Sequence, residues 1–147
     1  MKNISQKYYW DVSFKDNDDK KWQMLLDWSF EIAEYVEFNV LYTNQELTEE
    51  IEKLSKFLVE KIKRKNKIYP SGYSMRYKMC NELKEFIQSK KYKDWLNYNF
   101  EDISFINSEI EFFATITHEN FIIIKMSNNQ RKIFNAFGCN FEYEYTK

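Results

Sequence analysis

Aromatic side chains set the first constraint on this chain. Phe, Tyr and Trp fill 28 of 147 positions, against two glycines and one proline. Each ring brings roughly 150–250 Å² of surface that gains from burial. The chain must therefore build an extensive core, and rings left outside it form a docking surface. The scarcity of glycine and proline excludes collagen-like and linker-rich chains, and with them most glycine-rich loops that cradle phosphate. With 44% hydrophobic and 31% charged residues the chain is globular rather than disordered. Its length fits a single domain spanning 1–147.

Local patterning alternates between the two regular periods. Residues 8–14 place Tyr8, Trp10, Val12 and Phe14 on one side of a half-buried strand, followed by a polar loop over 15–21. Between 28 and 42 seven of eight even positions are apolar; Leu25, Trp28, Ile32 and Val36 also keep helical spacing, but the aromatic and β-branched content favours a long strand, bulged or broken near Glu34. Leu47, Ile51, Leu54, Leu58 and Ile62 then recur at helical spacing behind a capping box at 43–46. A second helix is expected over 74–89, burying Met75, Met79, Leu83, Phe86 and Ile87, with a short amphipathic appendage over 90–98. Strands return at 103–107, 110–117 and 121–126, with a turn at His118, Glu119 and Asn120. Ser127 is placed to cap a short helix over 128–137 that Gly138 ends, and Phe141, Tyr143 and Tyr145 alternate in a terminal strand. The expected fold is α+β: one domain, a mostly antiparallel sheet, and two main helices packed on one face.

Few residues offer chemistry. One histidine and two distant cysteines make no zinc motif, and the run Asp16, Asn17, Asp18, Asp19 lacks the glycine and downstream glutamate of a calcium loop. No metal or cofactor site is therefore expected. His118, in a turn between strands, reads as exposed; Cys80 reads as a core thiol and Cys139 as partly exposed. Nucleophile-elbow, Walker, dinucleotide-binding and zinc-protease strings are all absent, so no catalytic residue is assigned. The thiols read as reduced, and residues 1–10 hold no apolar run of the kind that begins a secretory signal. No membrane span is expected, and the expected location is the cytoplasm. Lys, Asn, Ile, Tyr and Phe far outnumber Ala, Gly, Pro and Arg, an imprint of AT-rich codons that suggests a bacterial or phage source.

Charge is distributed unevenly although its sum is only −1. Residues 53–93 carry a net +10, residues 1–52 a net −7 and residues 94–119 a net −6. The acidic part interleaves carboxylates with rings, a composition suited to anchoring a basic protein. The expected partner-binding residues are Glu101, Asp102, Glu109, Glu111, Phe113, Glu142, Tyr143 and Glu144. The expected function is a non-catalytic inhibitor that blocks a protein partner such as a basic toxin or nuclease: an immunity protein, an antitoxin or an anti-defence protein. The alternative is a nucleic-acid or nucleotide-binding module, with Lys61, Lys63, Arg64, Lys65, Lys67, Tyr69 and Arg76 on phosphate. Against it, glutamates at the start and lysines at the end of a helix suit the helix dipole without any ligand.

Overall fold

The computed structural model describes residues 5–15, 19–40, 48–63, 73–95 and 100–143. These form β1 (Gln6–Asp11), α1 (Lys20–Ile32), β2 (Tyr35–Val40), the single turn α2 (Glu49–Glu52), β3 (Leu58–Lys63), β4 (Tyr73–Lys78) and α3 (Asn81–Gln88). They continue with β5 (Glu101–Asn107), β6 (Ile110–Ile116), β7 (Phe121–Ser127), α4 (Asn128–Ala136) and β8 (Glu142–Tyr143). The strands make one sheet in the order β3-β4-β2-β5-β6-β7-β1-β8, with antiparallel neighbours throughout. The α+β fold expected from the sequence is the one observed. Among the described residues no helix is long and apolar enough to cross a membrane.

The helices lie on one side of the sheet, and ring contacts fix them there. On α1, Trp22 packs on Phe113 of β6 at 6.1 Å and Phe30 on Phe105 of β5 at 5.9 Å. Phe86 of α3 meets Phe38 of β2 at 6.1 Å, and Phe134 of α4 meets Trp28 of α1 at 5.5 Å. Phe38 is a hub: Phe100 stacks on it at 4.4 Å and Trp95 at 5.7 Å. Fifteen of the 28 aromatic residues are buried among the described residues, so the aromatic surplus is largely spent in one core.

Three sequence-based expectations change. The strand expected over 28–42 is a helix up to Ile32 and a strand only from Tyr35. Trp22, Leu25, Leu26, Ser29 and Phe30 are the buried residues of α1, and their spacing is helical. The even-position alternation was produced by Trp28 and Ile32, which flank that stripe and are only partly buried. The helix expected from 47 to 62 is reduced to α2 and a 3₁₀ turn at Ser55–Phe57, and Leu58–Lys63 is a strand. The next helix begins at Asn81 rather than 74, because Tyr73–Lys78 pairs with the whole of β2. Pairing with a central strand outweighs local helical spacing here. The capping box at 43–46 lies outside the described residues.

The strand faces also differ. β1 buries Tyr9 and Asp11, not Tyr8 and Trp10, and Val12 is 63% exposed. Buried Asp11 accepts backbone hydrogen bonds from Ser13 and Asn140, both at 3.0 Å, which offsets its desolvation. Of the thiols, Cys139 is buried and Cys80, at the N-cap of α3, is half-buried, the reverse of the expected order. Burial raises the Cys80 pKa, and a hydrogen bond with Glu82 adds to that rise. The end of the chain follows expectation. Ser127 Oγ accepts from the Gln130 amide at 3.1 Å, and Gly138 takes φ 109° just past α4.

Candidate binding face

Among the described residues no helix covers the opposite face of the sheet, and register defines what that face presents. One row across it reads Arg76, Glu37, Ser104, Ala114, Ile123, Trp10 and Glu142. Beside this row stand Ser74 and Asn39, paired between β4 and β2, and Ile116 and Phe121, paired between β6 and β7. Of these, Glu37, Asn39, Ser74, Ser104, Ala114, Ile116, Phe121 and Ile123 line a groove of about 520 Å³ together with Asp102 and Glu111. Its floor is apolar, from Ala114, Ile116, Phe121 and Ile123, and its polar rim holds three carboxylates, of which Glu37 is paired with the neighbouring Arg76. Trp10 extends the apolar floor, with its ring 6.0 Å from Phe121.

Two bulges shape this face. Where β5 passes β2 the register shifts between Glu37 and Asn39, and Asp102 adopts φ 52°. A left-handed conformation in a non-glycine residue is held only by surrounding bonds. Asp102 Oδ1 accepts from the Thr117 amide at 2.8 Å, its own amide donates to Thr117 Oγ1 at 3.2 Å, and Oδ2 accepts from Asn39 Nδ2 at 3.3 Å. Ser74 Oγ in turn donates to Asn39 Oδ1 at 3.0 Å. A hydrogen-bonded chain thus runs from β4 through β2 to the β6–β7 turn.

The second bulge, in β6 opposite Phe105 and Ile106, turns two consecutive rings towards the helices. Phe112 packs on Trp28 at 5.7 Å and Phe113 on Phe105 at 5.2 Å. Glu111 then falls on the open face, paired with Ile106. Although Glu111 is an exposed residue, its carboxyl leans into the groove: desolvation raises its pKa, a hydrogen bond to Ser104 opposes this, and the charge on Glu37 adds to the rise. Arg76 draws the other way, and its Nη2 binds Glu37 Oε2 at 3.0 Å.

The expected partner-binding residues divide accordingly. Asp102 and Glu111 line the groove, and Glu142 is exposed on β8 opposite Trp10. Glu109 is exposed at the β5–β6 turn, with φ 65°. Phe113 is fully buried under the helices and is corrected to a core residue. Glu101 is likewise corrected: its carboxyl is 1% exposed and lies 2.8 Å from His118 Nε2. Tyr143 pairs with Tyr9 in the sheet, and Glu144 lies outside the described residues.

The basic set is divided too. Arg76 is engaged by Glu37, Lys61 Nζ stands 4.0 Å from the centre of the Tyr73 ring, and Lys63 ends β3. Arg64, Lys65, Lys67 and Tyr69 lie outside the described residues. Lys61, Lys63 and Arg76, expected on basic helices, stand instead on the β3–β4 strand pair.

Glu37, Asn39, Ser74 and Trp10 were not singled out from sequence. The alternation of Glu37 and Asn39 with Val36, Phe38 and Val40 was the available signal for the first two. Among the described residues no group of three or more His, Cys, Asp and Glu side chains converges to hold a metal. Comparison with family models, with curated proteins and with solved structures finds no match.

Proposed function

We propose that this chain is a non-catalytic binding protein that occludes another protein with the uncovered face of its sheet, as an immunity protein, antitoxin or anti-defence inhibitor does. The observation that carries the reading is the groove itself: Glu37, Asp102 and Glu111 stand around an apolar floor on a rigid antiparallel sheet. A lysine or arginine of a basic partner, flanked by apolar side chains, is the complement of that arrangement. Fixed strands hold the carboxylates in place before contact, which lowers the ordering cost of association. The only imidazole is engaged by Glu101 and is not among the groove residues, in keeping with recognition rather than turnover.

The test is to identify proteins retained by the wild-type chain from its native host and to measure their affinity for Glu111→Lys and Glu142→Lys variants. Charge reversal should weaken binding at least about tenfold while the folded state is kept. Undiminished affinity would remove the open face from the interaction. Retention on heparin that disappears with salt would instead favour the nucleic-acid reading.

A further inference from the structure

We propose that the groove between α1 and α4, on the helical side of the sheet, docks an acidic amphipathic helix of a protein partner. This surface is separate from the sheet face described above, and its occupancy does not depend on the reading of that face.

The two helices run antiparallel. Trp28 packs on Phe134 at 5.5 Å, while a Cβ added to Gly138 beyond the end of α4 would stand 3.4 Å from Lys21 at the start of α1. Met24 and Trp28 form an i, i+4 pair on α1; Ile133 on α4 and Phe137 at its C-cap form another. Between them lies a groove of about 550 Å³ with Phe134 in its lining. Phe137 is 67% exposed and Ile133 49%, although both are large and apolar. Two i, i+4 rows on antiparallel helices make ridges that accept the apolar positions of a third helix at i, i+3, i+4 and i+7.

Charge selects the occupant. Among the described residues the groove lining carries two cations, Lys20 and Lys21, and no carboxylate. A helix with glutamates flanking its apolar stripe meets this surface favourably. A second copy of the chain does not, because a two-fold contact through the same patch brings like charges together.

The probes are two labelled synthetic helices of about five turns with the same leucine stripe, one filled with glutamate and one with lysine, read by fluorescence anisotropy. The glutamate peptide should saturate the protein and bind at least about tenfold more tightly than the lysine peptide. Phe137→Asp and Ile133→Asp should each abolish that binding with the circular dichroism melt retained, since both side chains are exposed. The double variant Lys20→Glu/Lys21→Glu should lose the preference for glutamate.

Failure of the glutamate peptide to bind overturns the proposal, as does binding that survives both aspartate variants. Equal binding of the two peptides overturns it as well. Self-association that Phe137→Asp dissolves would assign the groove to a second copy, and saturation by dodecanoate alone would assign it to a small amphiphile; either result overturns the proposal.

Discussion

The Nε2 atom of His118 lies 2.8 Å from Oε1 of Glu101, a carboxyl that is 1% exposed, while the imidazole is roughly half exposed. The pair fastens the β6–β7 turn to the first residue of β5. Replacing His118 with alanine removes a partner from a buried carboxylate, and about 1–2 kcal/mol of stability should be lost. Urea denaturation measures this. The double variant His118→Ala/Glu101→Gln should recover part of the loss, because it no longer places a charge in the buried site.

Asp102 tests the strained bulge. With φ at 52° and two accepting oxygens engaged, asparagine keeps both the tolerance for this backbone region and an acceptor for the Thr117 amide. Asp102→Asn gives up the acceptor for Asn39 Nδ2 alone and should lose about 1 kcal/mol or less in thermal unfolding. Asp102→Ala, which keeps the strain and loses the acceptors, should be less stable by about 1–3 kcal/mol, and Asp102→Gly should fall between them.

Glu111 gives a pH signature. Its folded pKa is raised by desolvation, so between the ordinary carboxylate value and the raised one the folded state binds more protons than the unfolded state. Stability contributed at this site is therefore present at low pH and lost as pH rises through that window. Glu111→Gln lacks the loss. In urea titrations the variant should gain on wild type from acid towards neutral pH, with the difference level below the ordinary carboxylate pKa.

Core and open face should separate cleanly. Phe38 is fully buried and contacts four other rings, those of Tyr77, Phe86, Trp95 and Phe100. Phe38→Ala should cost about 3–5 kcal/mol. Trp10→Ala, on the half-buried opposite face, should cost about 1 kcal/mol or less yet weaken association with a partner seated on the groove. Chemical denaturation and binding measured on the same two variants check this.

The sequence was most readable where local period and tertiary environment agree. β7 and α4, with the Ser127 cap and the Gly138 exit, were legible because a short apolar run followed by cap chemistry and a closing glycine all point one way there. Tyr73–Lys78 was misread because Met75 and Met79 extend the spacing of α3 backwards, and only pairing with β2 makes the segment a strand. Of the three groove carboxylates, Asp102 and Glu111 were singled out from charge. The burial of Phe113 was not legible, because a bulge leaves no mark on composition, and neither was that of Glu101, whose partner lies across a turn. Glu37 and Asn39 already stood on the polar side of the alternation, but nothing local showed that this side would meet Asp102 and Glu111.

The extra residue in β6 makes the length of the β5–β6 hairpin as constrained as its composition. With Phe112 and Phe113 facing the same way, the strand upstream is offset by one position from the strand downstream. Deleting a residue there would restore strict alternation by expelling one ring into water or by drawing Glu111 beneath the helices. Descendants of this chain can exchange the two phenylalanines for other large apolar residues more readily than they can shorten the hairpin that carries them.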